Sequence, residues 1–125
     1  WKDKISNVTN MESMFESASS FNQSLNNWNV SNVTCMRGMF AAGLYNQPLN
    51  DWDVSNVINM EGMFEYAESF NQPLNGWDVS NVTNMSWMFD NTELFNQSLD
   101  NWDVSNVTTK EGMFTGAKSF NHPLP

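Results

Sequence analysis

Three aspartates, Asp53, Asp78 and Asp103, stand 25 residues apart, and each sits two residues ahead of a serine, Ser55, Ser80 or Ser105. Lys4 and Asn29 fill the same column in the preceding segments, and Asp51 belongs to a looser neighbouring column with Asn27, Gly76 and Asn101. Carboxylates and hydroxyls repeated at one spacing can engage the donors and cations of a partner. Asp53, Asp78, Asp103, Ser55, Ser80, Ser105, Asn29 and Asp51 are therefore the candidate binding residues. Like charges in a column repel one another, and a bound cation would relieve that repulsion. Calcium suits such oxygens, but its sites need about six to eight of them converging on one point. A straight column with serines between offers no such cage, so calcium is the weaker alternative to a solvated acidic face, and no cofactor is assigned.

Groups able to catalyse are sparse. The one histidine, His122, falls in a column that elsewhere reads Gln23, Gln47, Gln72 and Gln97, and no Ser-His-Asp or Cys-His set assembles around it. The one cysteine, Cys35, replaces the asparagine of Asn10, Asn59 and Asn84 and permits no internal disulfide. The chain reads as a non-enzyme.

A repeat about 25 residues long must hold these columns in line. Its units run 4–28, 29–52, 53–77, 78–102 and 103–125. Trp28, Trp52, Trp77 and Trp102 close four of them, and all nine methionines fall in two columns. Residues 1–125 are expected to form a single repeat domain, a fragment of a longer array because the chain starts and stops within a repeat.

Each unit divides into two periods. Met60, Met63, Phe64 and Ala67 follow i, i+3, i+4, i+7, the stripe of a short helix, and Thr9 with Glu12 and Thr108 with Glu111 have the form of a capping box. Phe70 to Leu74 suits a turn. Trp77, Asp78, Val79 and Ser80 alternate as a short strand would. The fold class expected is an α/β solenoid, leucine-rich-repeat-like, with one short strand and one short helix per coil and about five coils. Strands lie about 4.8 Å apart and packed helices about 8–10 Å, so the strand side, with the acidic column, should be concave.

The tryptophan, methionine and phenylalanine columns are assigned to the core, with Trp87 and Trp1 the exposed exceptions. Ser13, Gly38, Gly62 and Gly112 share the column that Trp87 interrupts, which is expected to want little bulk. The columns Asn7, Asn32, Asn56, Asn81, Asn106 and Asn22, Asn46, Asn71, Asn96, Asn121 are expected to bond the backbone of the neighbouring coil. Eight N-x-S/T triplets occur, and those at Asn7, Asn32, Asn81 and Asn106 are expected to face inward. Lys110, in a methionine column, implies a partly polar last coil.

With 40% apolar and 14% aromatic residues the chain can bury a core. Five basic residues stand against fourteen acidic ones, and Asp53 to Trp102 holds eight carboxylates and no lysine or arginine. Phosphate binding needs the opposite sign, so no nucleic acid partner is expected. No apolar run is long enough to suggest a membrane segment in this chain.

Trp77 to Phe89, WDVSNVTNMSWMF, preceded by Phe70 to Trp77, FNQPLNGW, resembles the repeat of the BspA-like leucine-rich-repeat surface proteins, also described as a bacterial surface-protein repeat common in mycoplasma lipoproteins. Weaker copies span Lys4 to Phe15 and Val104 to Phe114, while Cys35, Ile58, Trp87 and Lys110 depart from the pattern. The resemblance implies an extracellular or cell-surface scaffold for adhesion and protein binding. Its partner would be a protein or glycan on another cell or matrix. The alternative is a structural filament or spacer through end-to-end self-association, because joining Pro125 to Trp1 nearly continues the repeat.

Overall fold

Two turns shape the junction between successive units. In the computed structural model, which describes residues 4–125, the N–H groups of Val33, Val57, Val82 and Val107 return to the carbonyls of Val30, Val54, Val79 and Val104 at 3.0 Å. Serine and asparagine between two branched anchors suit that bend. Just upstream, Trp52, Trp77 and Trp102 donate to the carbonyls of Leu49, Leu74 and Leu99 at 3.1 Å. The expected strand at Trp77 to Ser80 is therefore absent. Trp77 and Val79 are buried and Asp78 is exposed, as the alternation requires, but the backbone is turned and not paired. The β pairing among the described residues lies elsewhere, as single-residue parallel bridges from Asn10 through Cys35, Asn59 and Asn84 to Thr109.

The expected helix is also absent, and the described residues contain no α-helix. Met60, Met63, Phe64 and Ala67 do form a buried apolar set. What presents them is a run of three overlapping turns, closed by Met63 on Met60, Glu65 on Gly62 and Ala67 on Phe64 at 2.9–3.2 Å. The intervening N–H groups leave the unit altogether. Met60, Gly62, Phe64 and Tyr66 donate to Asn84, Ser86, Met88 and Asp90 of the next unit at 2.8–3.0 Å. An α-helix would spend those N–H groups internally and leave none for the neighbouring rung.

Spacing gives the deeper reason. Phe15, Phe40, Phe64, Phe89 and Phe114 stack face to face with centroids 5.4–5.7 Å apart. Helices need about 8–10 Å between axes, so a layer of helices does not fit this rise. The α/β solenoid reading and its concave strand face are corrected together, since no wide helical side exists to oppose a narrow strand side. The molecule is a pile of turn-built rungs.

The capping boxes go the same way. Asn10, Asn59 and Asn84 accept the N–H groups of Glu12, Glu61 and Ser86 through Oδ1 at 2.9 Å, so asparagine, not threonine, starts three of the five runs of turns, with Cys35 and Thr109 in the other two places. The glycine column has a backbone cause. Gly38, Gly62 and Gly112 hold φ of 61, 59 and 63°, the left-handed region at the third place of a turn. Ser13 and Trp87 occupy the same column at 55 and 59°. Such residues cost about 1–2 kcal/mol each, and the cross-rung bond of Trp87 N–H to Glu111 O, 2.8 Å, helps hold that conformation.

One core cluster runs from Ile5 to Met113. Tryptophan contributes twice, by burial and by a ladder of Nε1–H bonds from Trp52, Trp77 and Trp102 to Leu25, Leu49 and Leu74 carbonyls of the preceding rung at 2.8–2.9 Å. Thr92, fully buried, donates Oγ1 to Phe64 O at 2.6 Å where other rungs carry Ala67 or Ala117. Trp1 lies outside the described residues, and Trp87 is half-buried and not fully exposed.

Candidate functional site

Asp53, Asp78 and Asp103 are exposed and stacked in register one rung apart. Their serines pin them. Oδ1 of Asp53 accepts Ser55 N–H at 3.0 Å and Ser55 Oγ–H at 2.6 Å, and Asp78 holds Ser80 with the same two distances. Asp103 accepts Ser105 N–H at 3.0 Å, and Asn29 holds Ser31 at 3.1 and 2.6 Å. The serines thus orient the carboxylates from below and are only partly available to a partner. Asp51 is committed differently. Its Oδ2 accepts Asn26 Nδ2–H at 2.8 Å and its N–H donates back to Asn26 Oδ1 at 3.3 Å, which ties two rungs together. The structure brings Asn29, Asp53, Asp78 and Asp103 into one column and places Asp51 in the scaffold beside it.

Among the described residues no three His, Cys, Asp or Glu side chains converge to hold a metal ion. Hydrogen bonding stabilises the charges of Asp78 and Asp103. Donation by the Ser80 hydroxyl and N–H holds Asp78 below the usual carboxylate range, and Ser105 does the same for Asp103. Glu65 moves the other way, raised by burial first and then by Asp90, Glu61 and Glu16.

These shifts act on stability with opposite signs. A carboxyl whose folded pKa is raised contributes stability below its unfolded value and loses it as pH rises through the folded one. A depressed carboxyl contributes above its unfolded value and loses that contribution as pH falls through the folded one. Melting temperature should therefore climb as pH falls from neutrality toward the ordinary glutamate range, then drop below the ordinary aspartate range. Thermal melts followed by circular dichroism across that interval test this, and Glu65→Gln should flatten the climb while leaving the acid limb in place.

The asparagine ladders bond the neighbouring rung. Asn32, Asn56, Asn81 and Asn106 donate Nδ2–H to Ser6, Ser31, Ser55 and Ser80 carbonyls at 2.7 Å. Their side chains are nevertheless exposed, so the inward placement expected for the triplets at Asn7, Asn32, Asn81 and Asn106 is corrected. A residue can bond the backbone of the next rung from outside as well as from inside. Asn46, Asn71, Asn96 and Asn121 accept nothing from that set and instead donate backbone N–H to the preceding asparagine Oδ1 at 2.8–3.0 Å. His122 Nε2 lies 3.3 Å from Asn96 O, the contact that Gln72 and Gln97 make with Asn46 and Asn71. Its position is that of a glutamine substitute. Lys110 is exposed and donates Nζ–H to Pro125 O at 3.2 Å, which suits the polar last rung.

A second feature was not legible as a site. Ser13, Gly38, Ala41 and Gly62 line a recess of about 200 Å³ together with Glu16, Arg37, Glu61, Glu65 and Trp87. The sequence signal was Trp87 itself, a large ring in a column of small residues. No helix in the described residues is long and apolar enough to cross a membrane.

A family model described as "Mycoplasma protein of unknown function, DUF285" matches residues 1–83 and again 42–125. Comparison with curated proteins finds no match, and neither does comparison with solved structures.

Proposed function

From the premise that the chain belongs to the DUF285 family of Mycoplasma-type repeat proteins, we propose that it is a non-enzymatic cell-surface scaffold that binds a protein or glycan partner through its acidic column. The observation that carries this reading is the exposure of Asp53, Asp78 and Asp103 at one-rung intervals, each oriented by its own serine turn. Identical anionic groups fixed at a regular rise favour a multivalent partner, and holding them in place beforehand lowers the entropy lost on binding. The resemblance to BspA-like surface proteins supports an extracellular location and an adhesive role.

Beads coated with the chain should adhere to cell monolayers, and Asp53→Asn, Asp78→Asn and Asp103→Asn combined should reduce adherent beads about tenfold, with further loss in raised salt. Equal adhesion by the triple variant would remove this face from the function.

A second reading is end-to-end assembly into a filament or spacer. Phe15, Phe21 and Trp28 in the first rung and Phe114 and Phe120 in the last are only partly buried, whereas their inner counterparts Phe64 and Phe70 are sealed. Exposed apolar end faces favour stacking on a like face. The join at Trp1 to Asp3 that suggested it falls outside the described residues. Sedimentation across a concentration series should reveal rod-like association, and a compact monomer throughout would exclude it.

A further inference from the structure

Asn75 and Gly76 form the chain's one Asn-Gly pair. In such a pair the glycine nitrogen can reach Cγ of the asparagine with no Cβ in its way. Asn26 and Asn50 fill the same column but are followed by Asn27 and Asp51, whose side chains crowd that approach. The stack itself favours glycine here, since a Cβ built on Gly76 would come within 3.0 Å of Asn50 Oδ1.

The two groups that could react are bonded to opposite neighbours. Gly76 N–H donates to Asn50 Oδ1 of the preceding rung at 3.0 Å. The Asn75 side chain is tied to the following rung, where its Nδ2–H donates to Asp100 Oδ1 at 3.0 Å and its Oδ1 accepts Asn101 N–H at 3.0 Å. Nucleophile and electrophile meet only if one of those rungs parts from the other two. Donation by Asn75 first, and then by Ser98, also holds the Asp100 carboxyl below the usual carboxylate range, so the acceptor is charged at neutral pH.

We infer that Asn75 is a latent site of spontaneous modification, closed in the native stack and opened when its rung separates from a neighbour. The Gly76 nitrogen bonds to Asn75 Cγ as the Cγ–Nδ2 bond breaks, and the Gly76 amide proton leaves with Nδ2 as ammonia. Water then opens the cyclic imide at either carbonyl, giving aspartate or a backbone routed through the side chain. Both products replace the Nδ2–H donor with a carboxylate, so acid meets acid at Asp100 and the joint that parted is weakened. A transient opening is thereby made permanent. The site is independent of the Asp53, Asp78 and Asp103 column and of end-to-end assembly.

The test is incubation of the chain at mildly alkaline pH, in buffer and in urea, with Asn75 followed by mass spectrometry of the peptide that carries it. Conversion should be about tenfold or more slower in buffer, because reaction through an open state is scaled by the population of that state. Asn50→Ala, at an exposed position, should keep the fold, speed conversion in buffer about threefold and leave the rate in urea unchanged. Asn75→Asp should lower the melting temperature, and adding Asp100→Asn should recover part of the loss by restoring a donor across the joint. Equal rates in buffer and urea, an Asn50→Ala chain no faster than the parent, or an Asn75→Asp chain that melts with the parent each overturn the proposal.

Discussion

Phe64→Ala is expected to cost about 3–5 kcal/mol of unfolding free energy. Phe64 is fully buried, with ring centroids 4.1 Å from Phe70 and 5.7 Å from both Phe40 and Phe89. The loss is large because the cavity cannot close. Phe64 N–H is tied to Met88 O at 3.0 Å and the carbonyl of Met63 accepts Phe40 N–H at 2.9 Å, so the rungs on either side are held at fixed rise by their own backbones. Where the last rung offers Phe114 only one stacked neighbour in its column, Phe114→Ala should cost about half as much or less. Urea denaturation of the two variants decides the matter, read as the shift of the midpoint at constant slope. Equal losses at both positions would mean that the rungs do not share stability with their neighbours. For a chain whose total stability is about 5–15 kcal/mol, the central substitution removes about a fifth or more.

The core was legible in the sequence because burial depends on which residue types recur in a column, and the columns survive a change of backbone. Met36, Met60, Met85, Val57, Val82, Phe64 and Trp77 are where the period places them. The backbone that carries them was not legible from the same pattern. Spacing of i, i+3, i+4, i+7 selects a face of a helix, yet overlapping turns with i to i+3 bonds present nearly the same face at this short length. What separates the two is the second column of left-handed residues, Ser17, Ala42, Tyr66, Asn91 and Gly116, four places beyond the first. Its residue types are mixed, so only Gly116 and Asn91 hint at it. Gly38, Gly62 and Gly112 in one column were the better sign, because glycine inside a helical stripe weakens the helix and suits a turn.

The candidate site divides in the same way. Exposure of Asp53, Asp78 and Asp103 follows from alternation with buried tryptophan and valine, which holds whether the segment is strand or turn. The serines' commitment to those carboxylates depends on the turn, and alternation carries no information about it. Asp51 already stood in a neighbouring column, but its commitment to Asn26, a rung away, was not legible there. The Trp87 recess depends on the stacking of rungs more than any of these. Glu61 and Glu65 are close in sequence, but Glu16 and Trp87 join them only when three further rungs are stacked.

Excising one whole rung and excising half of one should have opposite outcomes. Removal of residues 53–77 joins Trp52 to Asp78, as Trp77 is joined to Asp78 in the intact chain, and leaves Val79, Met85 and Phe89 facing Val30, Met36 and Phe40. Each surviving interface then has like columns on both sides: the bridge from Cys35 passes to Asn84, and Trp77's ladder bond to Leu49 O is taken over by Trp102. The shortened chain should unfold in one cooperative transition at a lower temperature, because it loses one nearest-neighbour interface and keeps the rest. Removal of residues 53–64 alone deletes Val54, Val57, Met60, Met63 and Phe64 while keeping Phe70 and Trp77, so the remnant cannot complete a rung and Phe40 and Phe89 lose the ring between them. Loss of about five buried apolar side chains, at about 1.5–3 kcal/mol each, is comparable with the whole stability of a domain. That variant should lack the near-ultraviolet tryptophan signal and a cooperative melt. If the half-rung deletion melts cooperatively and the whole-rung deletion does not, the rung is not the unit of this fold. The contrast isolates register from length, since the more damaging excision is the shorter one.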